Sequence, residues 1–212
     1  TVDLLGKGNG QFYSDAGCTT PITQVTITGG SSSASFRFSS TVAEALTFTA
    51  QNSGSGLTDG TRAHTVQPLA PTTLSLTGVS TLASGVCAGF TLSVQDSLGN
   101  ASPVGSTKSL NLTGAGTGSF YAEASCSTSI TTSSLGSSQT SLILYYKAPG
   151  AQSVTLNVDD VGLPNLTAAT RAVTVTSSGG GGTTMALRIN GASSLNTNTC
   201  SPYAILTADA GG

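Results

Sequence analysis

The sequence predicts an all-β chain built from tandem β-sandwiches, one complete and two partial. Composition gives the first reason. Charged residues make up 8% of the 212 residues, against roughly 25% in an ordinary soluble domain. Ser (32), Thr (34) and Gly (27) together exceed two-fifths of the chain. Amphipathic helical bundles and coiled coils need charged outer faces that so few Glu, Lys and Arg cannot furnish. Periodicity gives the second reason. The 37% hydrophobic residues fall into alternating Val, Leu, Ile, Thr and Phe patterns that a sheet buries on one face and a disordered chain does not need. The third reason is an internal repeat, the signature of an array.

Gly10-Gln-Phe12-Tyr13-Ser-Asp15-Ala-Gly-Cys18 through Thr23 returns 108 residues later as Gly118-Ser-Phe120-Tyr121-Ala-Glu123-Ala-Ser-Cys126 through Thr131. The match runs without a gap to Phe36-Arg-Phe38 against Leu144-Tyr-Tyr146, and after one inserted residue pairs Thr61–Val66 with Thr170–Val175. Leu74-Ser-Leu76-Thr-Gly78 and Cys87 come back 113 residues later as Leu187-Arg-Ile189-Asn-Gly191 and Cys200. Residues 72–178 therefore read as a complete unit, 1–67 as the C-terminal two-thirds of a preceding one, and 183–212 as the N-terminal part of a following one. Head and tail together make one unit short of a loop of about nine residues by the alignment itself, so the chain reads as a piece of a longer array.

In the complete unit, strands are expected near residues 73–77, 86–95, 108–112, 118–121, 130–134, 141–147, 153–158 and 169–175, wherever period-two alternation lies between Gly, Ser and Asn punctuation. Phe90, Leu92 and Val94 point to one face, as do Leu142, Leu144 and Tyr146, and Val154, Leu156 and Val158. Two sheets with one wet face each satisfy this pattern. Asp96-Ser-Leu-Gly99-Asn100 reads as a hairpin turn and Pro149-Gly150 as another. Of the connectors, Gln67-Pro-Leu-Ala-Pro71 is stiffened by two prolines and Gly179–Gly182 is flexible.

Cys87 and Cys126 belong to the same complete unit and are expected to form a disulfide, which by loop entropy contributes about 4 kcal/mol. Two buried free thiols are the other reading. Cys18 stands at the position of Cys126 and Cys200 at that of Cys87, so each lacks its partner within its own partial unit. Joined head to tail, Cys200 of one copy would bond to Cys18 of the next; pairing within one chain is disfavoured, because the complete unit intervenes. Disulfides point to an extracellular or cell-surface location, and no signal peptide is seen.

Several chemistries are excluded or weakened. Seven Lys plus Arg cannot neutralise a phosphate track, so nucleic acid is not an expected partner. Apolar runs of a few residues do not insert in a membrane as helices. No catalytic residues, cofactor or metal ligands are assigned. His64 is the only histidine and its counterpart is Val173, which reads as a strand residue rather than a base. No Gly-x-Ser-x-Gly elbow occurs. Asp159-Asp160 could serve a calcium ion, but the matching Gln51-Asn52 is neutral, so solvated turn acids are the expectation. Asp15 and Glu123 are matched but isolated acids. Phe12-Tyr13 and Phe120-Tyr121 read as core plus rim rather than a glycan-stacking platform. Lys108 or Lys147 could crosslink to an Asn, but no carboxylate presents itself as the helper. The sequons at Asn100, Asn111 and Asn165 matter only in a glycosylating host.

The complete unit resembles bacterial immunoglobulin-like repeats of secreted and surface proteins. Gly85-Val-Cys87, Val94-Gln-Asp96-Ser-Leu-Gly99-Asn100, Gly118-Ser-Phe120-Tyr121, Cys126 and Leu144-Tyr-Tyr146-Lys147 carry the likeness, with Phe12-Tyr13-Ser-Asp15-Ala-Gly-Cys18 in the first unit. The resemblance implies tandem immunoglobulin-like β-sandwiches acting as stalks, spacers or fibre units, with no shared catalytic residues. The expectation is a non-enzymatic structural segment whose partners are copies of itself or neighbouring repeats head to tail. The alternative is an adhesin module holding a cell-surface glycan or protein through loops at a sandwich end. A third is a spacer appended to a secreted enzyme.

Overall fold

The computed structural model of the chain describes residues 1–52, 54, 56–162, 165–177, 186–191, 193, 194, 197 and 200–208. Among them every regular element is a strand. Those of the first unit are β1 (Val2–Leu5), β2 (Gln11–Tyr13), β3 (Pro21–Ile22), β4 (Gln24–Val25), β5 (Arg37–Ser39), β6 (Ala45–Asn52) and β7 (Gly60–Thr65). They form one sheet in the order β4-β1-β6-β7 and a second in the order β3-β2-β5.

The next ten are β8 (Thr73–Gly78), β9 (Thr81–Ala83), β10 (Ala88–Gln95), β11 (Lys108–Thr113), β12 (Ser119–Tyr121), β13 (Ser129–Ile130), β14 (Thr132–Leu135), β15 (Ser141–Lys147), β16 (Gln152–Asp160) and β17 (Ala169–Thr176). Their sheets run β13-β12-β15-β10-β8 and β14-β11-β16-β17-β9. Last come β18 (Ala186–Gly191) and β19 (Tyr203–Ala208), paired only with each other in a two-stranded sheet among the described residues.

Alternation explains the sandwich. Phe90, Leu92 and Val94 of β10 are at most 1% exposed, while Thr91 between them lies in solvent. Leu144 and Tyr146 of β15 meet them from the neighbouring strand, and Leu156 and Val158 of β16 close the core from the opposite sheet. Each such burial contributes about 1.5–3 kcal/mol. The Tyr146 hydroxyl stays satisfied: it donates to the Ala115 carbonyl at 2.9 Å and accepts from Gln152 Nε2 at 3.0 Å. The outer strands β3, β4, β13 and β14 have two to four residues, which limits edge-to-edge pairing.

Strand register recurs along the chain. Phe12 faces Ile22 and Phe38 as Phe120 faces Ile130 and Tyr146. Leu4 opposes Ala50 as Leu112 opposes Val158. In the hairpins, Gly191 faces Tyr203 and Ile189 faces Ile205, as Gly78 faces Phe90 and Leu76 faces Leu92.

Three readings of the sequence need correction. The expected strand 130–134 is two strands: β13 pairs with β12 in one sheet and β14 with β11 in the other. The chain changes sheets at Thr131, whose carbonyl accepts from Leu112 N–H at 2.9 Å. The segment after Gly78, where no strand is expected from the sequence, holds β9, which runs parallel to β17 and buries Leu82; three residues with a non-local partner leave no local signal. Asp160 is not a solvated turn acid. It ends β16 fully buried, 3.0 Å from Lys108 Nζ, and accepts from Gly162 and Leu166 N–H at 3.0 and 3.1 Å. Its exposed-looking sequence context, Asp-Asp-Val-Gly at 159–162, hid the inward register that alternation from Leu156 requires.

The 67–71 connector is held at its middle. Leu69 N–H donates to Asp96 Oδ2 at 2.9 Å and the Leu69 carbonyl accepts from Ser102 Oγ at 2.6 Å. Asn100 reaches past it to the first unit, donating to the Thr41 carbonyl and accepting from Ala43 N–H, both at 2.9 Å. The Asp96–Asn100 segment is a turn with Gly99 at φ 85°, as its Gly predicts. The Gly179–Gly182 connector lies outside the described residues.

Candidate functional site

The first unit presents an apolar face that the complete unit keeps covered. Phe12 is buried among the rings of Phe36, Phe38 and Phe48, at centroid distances of 5.2, 5.5 and 5.2 Å. Those three rings are themselves only half-buried. Phe36 and Phe48 border a cavity of about 290 Å³ whose lining also includes Leu4, Phe12, Ala50 and Arg62. The residues at the matching positions of the complete unit, Leu112, Phe120, Leu144, Leu156 and Val158, are all at most 5% exposed. The difference is β8 and β10. In the complete unit β10 occupies the long side of β15 and β8 the far side of β10, whereas β5, at the place of β15, is the edge of its sheet.

The hairpin β18–β19 has the opposite property. Ile189 and Ile205 are 73% and 72% exposed, while Leu76 and Leu92 at the same positions of β8 and β10 are 5% and 0% exposed. The ring of Tyr203 lies over Gly191, where an added Cβ would strike it. Phe90 lies over Gly78 in the same way. One hairpin design thus occurs twice, once with its inner face packed and once with it in solvent.

The cysteines follow the same division. Cys87 and Cys126 are bonded, with Cα atoms 6.0 Å apart. Cys18 is a half-buried free thiol and Cys200 an exposed one. The loop that presents Cys126 is rebuilt around Cys18. Glu123 accepts from the N–H groups of Ser127 and Thr128, and Asp15 from those of Thr19 and Thr20. Both cysteines take positive φ, 47° and 53°. Hydrogen bonds from the Thr20 and Thr19 N–H groups outweigh desolvation and hold the Asp15 carboxyl down at about 2. Those from Thr128 and Ser127 likewise lower Glu123. Neither acid is isolated in function, as the sequence suggested; each shapes a cysteine loop.

The remaining candidates are structural in placement. His64 sits exposed on β7, stacked on Phe48 at 5.0 Å. Tyr13 and Tyr121 are half-buried beside buried Phe12 and Phe120. Asp159 and Asp160 point to opposite faces, and among the described residues no group of three His, Cys, Asp or Glu gathers for a metal ion. Lys108 does find a carboxylate, that of Asp160, in an ion pair. The Asn100 side chain is engaged with the preceding unit, so a glycan there would have to break that contact.

Sequence reasoning missed three groups: the Asp96–Ser102 hold on the connector, the Lys108–Asp160 pair, and Arg171, whose Nη2 donates to the Gly78 carbonyl at 2.5 Å. The signal for the last was present, since Thr61-Arg62-Ala63 and Thr170-Arg171-Ala172 match.

No protein-family model and no curated protein matches the chain. Solved structures are similar at low identity. A glycosyl hydrolase family 2 member from Bacteroides cellulosilyticus is 10% identical with a TM-score of 0.43 over 79% of this chain. The S-layer protein rSbsC is 17% identical with a TM-score of 0.35 over 97% of this chain. The chain spans 21% and 24% of the length of those two proteins.

Proposed function

We propose that the chain is a non-enzymatic structural segment of an extracellular fibre or surface stalk, built from tandem repeats of the bacterial immunoglobulin-like kind that its motifs resemble. The observation that carries this reading is the recurrence of one strand register at two places, with the hairpin register recurring again, along a chain whose connector is pinned. Pairs such as Phe12–Phe38 and Phe120–Tyr146, joined through a Leu69 connector bonded on both its N–H and its carbonyl, suit a spacer that transmits position rather than a site that transforms a ligand. The disulfide supports an extracellular location, and a surface of hydroxyls with few ions gives weak dependence on salt.

A stalk that carries tension is tested by pulling. The complete unit opens in a single-molecule force experiment as one discrete step in which the 39-residue stretch between Cys87 and Cys126 stays locked. Reduction lengthens that step by about 14 nm, at roughly 3.5 Å per extended residue. A smooth extension without a step, or a step that reduction leaves unchanged, contradicts the reading.

A further inference from the structure

We infer that the apolar face of the first unit is the seat for the β18–β19 hairpin of a second copy of this chain, locked there by a Cys18–Cys200 disulfide. This rests on the stalk-or-fibre reading and specifies how successive copies join.

The complete unit shows the seated arrangement. Its β10 pairs with β15 from Ala88 opposite Tyr146 to Ser93 opposite Ser141. Carried over by the two repeat alignments, Ser201 and Pro202 fall opposite β5 and β19 pairs with the residues before it, Tyr203 opposite Phe36 and Ile205 opposite Ala34. Ser31 N–H is taken by the Thr28 carbonyl at 2.9 Å, but residues 32–36 carry no ladder in the chain as it stands, so their amide groups are available to a new strand. Ile189 and Ile205 then enter the space bordered by Phe36 and Phe48, as Leu76 and Leu92 enter the core of the complete unit.

Two polar details agree. Arg62, at the place of Arg171, lines the cavity, and the carbonyl it would reach is that of Gly191, at the place of Gly78. The Arg171–Gly78 bond is the template for that contact. Pro202 takes the place of Gly89. The Val94 N–H donates to Thr140 across β15, and hydrogen-bonded pairs alternate along an antiparallel ladder. Position 89 is an odd step from 94, so the amide that Pro202 lacks is one that faces away from β15.

Seating brings Cys200 to Cys18 as Cys87 is brought to Cys126. Bond formation uses a small-molecule disulfide such as oxidised glutathione. The Cys18 thiolate displaces one glutathione, and the Cys200 thiolate then displaces Cys18 sulfur's second glutathione partner, leaving Sγ–Sγ bonded. Two electrons pass from the protein thiols to the oxidant, and two glutathione thiols carry away the two protons.

The test mixes two single variants of the full chain in glutathione buffer. A Cys18→Ser chain offers only the hairpin cysteine and a Cys200→Ser chain only the seat cysteine. The expected result on non-reducing analysis is a species of twice the 20.8 kDa chain mass in the mixture and its loss in either variant alone. Ile205→Asp on the hairpin, or Arg62→Met on the seat, should reduce its yield while the melting of the complete unit stays in place. Peptide mapping should find Cys18 joined to Cys200. No linked species, equal linkage in each variant alone, or native material with Cys18 joined to a cysteine outside this chain would overturn the inference. The force step of the complete unit is independent of these outcomes, so a stalk whose copies do not join this way remains recognisable as one.

Discussion

Lys108 and Asp160 form an ion pair in which both side chains are buried, at 8% and 0% exposure. Burial alone would push the Asp160 carboxyl up, but Gly162 N–H, the Lys108 ammonium and Leu166 N–H together hold it below the ordinary carboxylate value. Removing one partner strands the other. Asp160→Asn should therefore lower the unfolding free energy of the complete unit by about 3–5 kcal/mol. Replacing both, Lys108→Met with Asp160→Leu, should cost less than the two single changes added, with the Gly162 and Leu166 amides still unpaired. A denaturant series on the four proteins measures this; additive costs would show that the pair is not coupled. The pair was unreadable in sequence because nothing local links residues 108 and 160. It also marks a difference between units, for Asn52 stands at the position of Asp160.

At the scale of elements, the turn after β10 is also the clasp of the connector. Desolvation raises the Asp96 carboxyl, but the Asn100 side chain and the N–H groups of Leu69, Asn100 and Leu98 outweigh it and bring it from 3.8 to about 2. A carboxyl depressed by folding releases its proton more readily in the folded state. Its contribution is complete above about pH 4 and is lost as the pH falls towards 2. Asp96→Asn should flatten that part of the stability profile, followed by urea midpoints from pH 2 to 7; an unchanged slope in the variant would place the acid sensitivity elsewhere, as at Asp15.

The sequence foretold the turn from Gly99 and Asn100 but not the clasp, because its partner Leu69 sits in a proline-rich segment without periodicity. Strands with inward Phe or Leu at every second position, β10, β15 and β16, were legible for the same physical reason that they are stable: one face is buried along their length. β9 and the break between β13 and β14 were not, since their positions follow from which sheet has an edge to offer. The open face of the first unit was legible only by comparison, through the repeat that placed Phe36 at Leu144 and Cys18 at Cys126.

For the whole molecule, the seat in the first unit and the hairpin at residues 186–208 are two halves of one sandwich plan. The middle unit has the arrangement that the proposed union would reproduce: Phe90 and Leu92 covered, Gly78 bonded to Arg171, Cys87 bonded to Cys126. A chain carrying both halves with a complete unit between them can join copies head to tail, through a heterologous contact. Each junction would then bury an apolar face and add a covalent bond, so the assembled form gains a stability that the separate chain lacks. The measurement that bears most directly on this is non-reducing peptide mass mapping of native material. Head-to-tail joining predicts two linked peptides, Cys87 with Cys126 and Cys18 with Cys200, the second joining different chains. Cys18 and Cys200 both recovered as free thiols, beside an intact Cys87–Cys126 bond, would contradict it.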